Sequence, residues 1–223
     1  MSYLIFLLRN LLNIPKTIYF NLRVFPLKTA LKFPVICSYK TRIRNIHKNM
    51  IEIDAPIKTF MIKYGIEGVE GVSSERKPYI EVGKAGKIIF RGRANLSRGI
   101  SLRVGNGVLC FGDSFYSNCN LLVICSTSVT FGNNVLLGWD INVRDCDGHP
   151  VYVDGIKTEG VRPVVVKDNV WIGSYVDLMK GVCIPKGSIV AARSCVLKSF
   201  EEDNILIGGY PAKKLKEGVS WNV

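Results

Sequence analysis

Residues 166–199 read VKDNVWIGSYVDLMKGVCIPKGSIVAARSCVLKS, and aliphatic side chains recur in them at a spacing of six: Val166, Ile172, Leu178, Ile184, Val190 and Val196. A second set follows four residues behind each, with Val170, Val176 and Val182 giving way to Ser188 and Ser194. A helix repeats every 3.6 residues and a strand every 2, so a beat of six belongs to a repeat architecture. Hexapeptide units of this type build a parallel β-helix. Each unit forms one flat side of a triangular coil, and the recurring aliphatic points inward onto its equivalents above and below.

Upstream the beat continues with interruptions. Phe131, Leu137 and Val143 are six apart, as are Leu96, Leu102 and Val108, and the phase slips between residues 110 and 128. Gly, Asn and Asp fall at the expected corners, as in Val104-Gly-Asn-Gly and Phe131-Gly-Asn-Asn, where sharp turns favour left-handed backbone. The spacing predicts a solenoid over residues 81–200, preceded by an apolar, basic segment over 1–80 and followed by a tail over 201–223. Roughly six or seven coils are enough to bury a continuous core by stacking.

The charge is unevenly placed. The chain has 223 residues and a net charge of +12, yet residues 1–50 hold nine Lys or Arg and no Asp or Glu, while the rest carries 21 basic and 18 acidic residues. The N-terminal segment is also apolar, with Tyr3 to Leu8, Leu11, Leu12, Ile14, Ile18, Tyr19 and Phe20. Arg9, Asn10, Asn13, Pro15 and Lys16 interrupt it too early for the roughly 20 apolar residues of a spanning helix. No small-residue cleavage site follows, as a secretory signal requires. Two readings remain open for residues 1–40: an interfacial contact with an anionic membrane, or a cap on the open end of the solenoid. No zinc-finger, RNP-like or helix-turn-helix pattern directs the charge toward nucleic acid. Seven cysteines without a Cys-x-x-Cys pair read as reduced structural thiols, and so as a cytoplasmic protein.

Of two histidines, His47 sits among Arg42, Arg44 and Lys48. His149 stands in Val143-Arg-Asp-Cys-Asp-Gly-His-Pro, where the beat breaks off into an excursion over 148–163 before resuming at Val166. A histidine at the mouth of a loop thrown out from a rigid scaffold is well placed for chemistry.

From Gly112 to Lys214 the chain resembles the hexapeptide-repeat acyltransferases with a left-handed β-helix, in particular the maltose/galactoside and capsular-polysaccharide O-acetyltransferase branch. The resemblance rests on Phe115-Tyr-Ser-Asn-Cys-Asn-Leu, Val129-Thr-Phe-Gly-Asn-Asn-Val-Leu-Leu-Gly, Asp147-Gly-His-Pro-Val, Val166-Lys-Asp-Asn-Val-Trp-Ile-Gly-Ser and Ile207-Gly-Gly-Tyr-Pro-Ala-Lys-Lys, in that order. It implies that His149 is the general base that takes a proton from a sugar hydroxyl as the oxygen attacks the thioester of acetyl-CoA. Asp145, Asp147 or a loop carbonyl would fix the tautomer of the ring. The backbone N–H of Ser174 would face the oxyanion, and Gly173 would let the pantetheine chain approach. The resemblance also places Asn118 at the acceptor, with Trp171 beside it or packed at a corner. Ala191, Ala192 and Lys198 would line the CoA groove, and Lys213 would lie near the CoA phosphates. It implies a homotrimer with sites between neighbouring copies and no metal. Two positions depart from the pattern: Ile124-Cys-Ser126 replaces acidic residues, and Arg193 occupies a corner usually given to glycine.

Three other functions compete. A γ-class carbonic anhydrase shares the solenoid but needs three histidine ligands per zinc, and the repeat domain offers one. A non-catalytic β-helix scaffold would give His149 no role, and N-acetylation of an amino sugar would use the same base and donor.

Overall fold

Aliphatic side chains six residues apart stack only if the chain bends at every repeat, and it does. In the computed structural model, which describes residues 10–66 and 74–222, short strands visit three flat faces in rotation. The first face runs through Val35–Cys37, Ile62–Tyr64, Ala94–Leu96, Phe115–Ser117, Leu136–Leu137, Trp171–Ile172, Ile189–Val190 and Leu206–Gly209. The second contains Arg42–Arg44, Tyr79–Val82, Ser101–Val104, Leu122–Cys125, Asn142–Arg144, Asp177–Leu178 and Cys195–Val196. The third contains Ile51–Ile53, Lys87–Phe90, Val108–Phe111, Ser128–Phe131, Val164–Val166 and Cys183–Ile184. Each of these strands pairs in parallel with the strand one coil above, as at Ile172↔Val190 and Leu178↔Val196. Ala212–Lys216 then turns back antiparallel onto Leu206–Gly209.

The register explains where the beat is audible. Ile172 and Val190 are eighteen residues apart, three hexapeptides to the turn. Phe111 and Phe131 are twenty apart, and Leu96 and Ser117 twenty-one, so the extra corner residues there shift the phase. Earlier coils are longer still, with Val35 paired to Ile62 and Ile62 to Ala94. The solenoid therefore begins at Val35, well inside the segment 1–80 that the sequence sets apart. It also continues past residue 200, because Leu206–Gly209 extends the first face. Both boundaries are corrected outward.

Inside the prism the third face carries an aromatic stack. Phe90 and Phe111 lie 5.1 Å apart and Phe111 and Phe131 5.5 Å apart, stacked with nearly parallel planes, and Phe115 is tilted against Phe111 and Phe131. Val166 and Ile184 continue the same column, fully buried.

The open end is closed by a helix, α1 (Ile14–Val24), followed by a single turn, α2 (Leu27–Ala30). Thr17, Phe20, Asn21 and Val24 form the buried stripe of α1, at helical spacing. The first strand would otherwise present unpaired backbone, a liability at any sheet edge. Asn21 instead donates to the Val35 carbonyl at 2.7 Å and accepts from its N–H at 3.2 Å, while the Thr17 hydroxyl accepts from the Cys37 N–H at 3.0 Å. The apolar run of residues 3–8, with Arg9, lies outside the described residues. Among those described, no helix is long and apolar enough to cross a membrane.

Candidate active site

The chain leaves the second face after Asn142–Arg144 and regains the third at Val164–Val166. The neck of this excursion is braced: the Asp147 N–H donates to Gly160, the Arg162 N–H donates to Asp145, and Cys146 bridges to Val161. Beyond the neck, Tyr152–Val153 and Ile156–Lys157 form a hairpin turning through Asp154 and Gly155, both with positive φ, the signature of a two-residue type I′ turn. His149 sits exposed at the base of this arm and makes no hydrogen bond among the described residues.

Neither nearby carboxylate orients its ring. Asp145 is fully buried, and its Oδ2 accepts the N–H groups of Ser126 and Thr127 at 2.7 and 2.6 Å. It pins the preceding coil instead. Its Oδ1 is buried without a partner among the described residues. Burial raises the Asp145 pKa, against the amide donors that lower it. Asp147 is held by Lys180, whose ammonium lies 2.6 Å from Oδ2 and also donates to the Glu159 carbonyl. The register that puts Leu178 over Val143 also puts Lys180 one coil above Asp145. The excursion hides that spacing in the sequence, so no periodic signal reveals Lys180. Of the three tautomer partners the sequence leaves open, the two carboxylates bond other groups in this structure.

The pKa of Asp145 makes a testable consequence. Its folded value is raised, so its contribution to stability is present at low pH and is lost as pH rises through that value. Asparagine keeps the acceptor for Ser126 and Thr127 without the charge. Asp145→Asn should therefore gain thermal stability relative to wild type as pH increases from about 4, near the ordinary aspartate value. A gap that shrinks with rising pH would contradict this.

A second group of residues gathers on the first face and at the edge that follows it. Tyr116, Leu136 and Trp171 are register neighbours. The Asn118 side-chain amide donates to the Leu137 carbonyl at 3.0 Å, and its Oδ1 is buried and unpartnered among the described residues. Ser174 accepts the Trp139 N–H on its Oγ, and its own N–H donates to no group among the described residues. Gly138 must be glycine, because a Cβ there would lie 2.5 Å from Ser174 Oγ and 2.7 Å from Ser174 N. Gly173 has the same reason: a Cβ would meet Ala192 N at 2.7 Å. Its lack of a side chain serves the stacking of coils, a cause the sequence reading did not supply.

Ala191 and Ala192 continue this edge, and Arg193, at φ 59°, stacks its guanidinium over the Tyr175 ring at 4.8 Å. The Arg193–Tyr175 pair is not legible in the sequence, since only the corner register brings the two together. Lys198 and Lys213 are exposed, whereas Lys214 is engaged by Glu202 and Glu217, both at 2.7 Å. The C-terminal tail folds back so that Trp221 packs 6.3 Å from Trp171 and donates to the Asn169 carbonyl. Under it a groove of about 1020 Å³ follows the first face, lined among others by Asn118, Tyr116, Asn95, Arg93 and Trp221.

The structure thus brings Asn118, Trp171, Gly173, Ser174, Ala191 and Ala192 to one face and its following edge. His149, with Asp145 and Asp147, stands at the edge between the second and third faces. The buried thiols are not poised as nucleophiles: burial pushes Cys125 up to about 12 and Cys37 to about 11. His149 is an exposed imidazole on a braced support.

Comparison with known proteins agrees with this fold. No family model matches the chain. It is 34% identical over 108 residues to the galactoside O-acetyltransferase of Escherichia coli K12, covering 48% of this chain and 52% of that protein. It is 30% identical over 136 residues to WbbJ of the same organism, a provisionally named lipopolysaccharide biosynthesis O-acetyl transferase, covering 55% of this chain and 69% of WbbJ. The chain spans about half the length of its galactoside relative. In fold it is similar to the polysialic-acid-specific acetyltransferase NeuO, with a TM-score of 0.56 at 18% identity over 85% of this chain and 89% of that one. A hexapeptide-repeat acetyltransferase of Vibrio cholerae solved with acetyl-CoA gives 0.51 at 24% identity, over 58% and 70%. The parallel β-helix is left-handed, and the chain belongs to the family of hexapeptide-repeat acetyltransferases.

Proposed function

We propose that this chain is a cytoplasmic, acetyl-CoA-dependent O-acetyltransferase acting on a hydroxyl of a sugar or surface-polysaccharide precursor. The observation that carries the reading is His149, exposed at the base of a braced arm and without a hydrogen-bond partner among the described residues. An imidazole serves near-neutral proton transfer, and a carbohydrate hydroxyl needs such a base. Free thiols at all seven cysteines suit a reducing compartment.

The chemistry divides between the two groups of residues. His149 takes the acceptor proton while the hydroxyl oxygen bonds to the thioester carbon. The oxyanion forms opposite the Ser174 N–H, which bonds no described residue, then collapses to expel the CoA thiolate, which leaves with the proton held on the imidazole. Asn118 offers to an acceptor hydroxyl its Oδ1, which has no partner among the described residues. Lys198 and Lys213 are exposed cations suited to CoA phosphates.

His149 and Ser174 lie at different edges of the prism, so one chain does not complete this site. A homotrimer, in which the arm of one copy reaches the first face of the next, would do so.

The test measures CoA release from acetyl-CoA across a panel of sugars and amino sugars, with mass analysis of the products. The expected product gains one acetyl group and loses it in mild base, as an ester does. A base-stable amide would favour N-acetylation. Release no faster than hydrolysis with every acceptor would leave the scaffold reading.

A further inference from the structure

Helix α1 carries two apolar stripes. One is buried and closes the solenoid, yet the stripe beside it, facing solvent, carries Ile14, Ile18 and Leu22 at i, i+4 and i+8. Leu11 and Leu12 extend this ridge at one end, with exposures of 54% and 73%, and Leu27 and Leu31 at the other, with 63% and 61%. A helix packed on a domain ordinarily turns a polar face outward, and one apolar all round is ordinarily covered. Contiguous exposed apolar surface marks a contact site.

The flanks identify what the contact is with. Lys16, Arg23, Lys28 and Lys32 border the ridge, and no acidic residue occurs before Glu52. Beside α1, Lys16 and Tyr19 join Thr41, Arg42, Ile43 and Arg44 around an open cup of about 490 Å³. Its lining holds three cations and no carboxylate, Glu81, the register partner of Arg44, being bonded by Asn45 and Tyr79 outside it, and Lys16 lies 5.9 Å from the centre of the Tyr19 ring. A second copy of the same basic surface would be repelled, whereas an anionic phosphate surface is attracted. An aromatic ring between an apolar ridge and a set of cations is also the arrangement that suits a headgroup boundary.

We infer that this end of the solenoid docks on an anionic phospholipid bilayer: the ridge Leu11–Ile18–Leu22–Leu27–Leu31 enters the acyl boundary and the Lys16–Arg42–Arg44 cup holds a lipid phosphate. The solenoid axis then stands away from the membrane. The inference is independent of acetyl transfer, since none of these side chains belongs to the candidate active site.

The experiment is co-sedimentation of the full chain with vesicles of phosphatidylcholine alone or mixed equally with phosphatidylglycerol. Binding to the anionic vesicles should exceed binding to the neutral ones by at least about tenfold, and it should fall in high salt. Arg42→Glu with Arg44→Glu should remove most of the anionic preference, roughly fivefold per cation lost. Ile18→Asp with Leu22→Asp should abolish sedimentation with both vesicle types. All these positions are exposed, so thermal unfolding and CoA release with a soluble acceptor should match wild type. Equal sedimentation of wild type with and without vesicles would overturn the inference. So would a wild-type oligomer that Ile18→Asp dissociates, because the ridge would then belong to a second copy.

Discussion

His149→Ala is expected to lower kcat by about 10²–10⁴-fold, the usual range for a lost general base. The KM for acetyl-CoA should change little, because the interaction removed is one made as the proton moves. The fold should not notice. His149 is exposed and bonds no other described residue, and surface substitutions of that kind usually stay within about 0.5 kcal/mol. That combination, a large rate loss in an unchanged protein, separates a catalytic imidazole from one that braces the arm. Lys180→Met provides the contrast. It removes the partner of Asp147 and the donor to Glu159, so it should loosen the arm and lower its resistance to proteolysis.

Phe111→Ala should produce the largest loss of stability of any single truncation in the core. Phe111 is fully buried, stacked between Phe90 and Phe131 and touched by Phe115. Removing a buried ring leaves a cavity in a column that continues above and below, at a cost of about 3–5 kcal/mol. For a chain of this length each kcal/mol moves the midpoint by roughly 2–4 °C, so a fall of roughly 10 °C is expected. The damage should concentrate at that level, because each coil contacts only its neighbours. Thermal unfolding at fixed protein concentration would measure it, and Phe111→Leu should recover most of the loss. Equal midpoints for Phe111→Ala and wild type would contradict the stacked column.

How far the sequence reveals this follows from the coil lengths. Where a turn is eighteen residues, from Val166 to Val196, every inward position can be read by counting. Where turns lengthen, the same inward positions exist, as Ile62, Ile80 and Ile88 show. Counting fails there because the corners, not the faces, absorb the extra residues. The excursion around His149 is visible as a break in the beat, and its braced neck is not. Asp145, Asp147 and Lys180 illustrate the limit. Proximity in sequence suggests that both carboxylates orient the imidazole, yet the stacked coils give each a nearer partner above or below. Cross-coil contacts such as Arg193–Tyr175 and Trp171–Trp221 depend on register, which a local motif does not carry. The ridge on α1 is legible as apolar sequence. Only the packing of Thr17, Phe20, Asn21 and Val24 shows which half of it remains uncovered.

The division of His149 and Ser174 between two edges of the prism is tested most directly by complementation between inactive copies. His149→Ala removes the base, and Ala192→Trp blocks the proposed donor groove at an exposed alanine, so each variant alone should be inactive. Assembled together at equal amounts, a site shared between copies should regain activity in about a quarter of its sites, those pairing an intact arm with an intact groove. A mixture as inactive as its two components would place the reaction within one chain, contradicting a site built across copies.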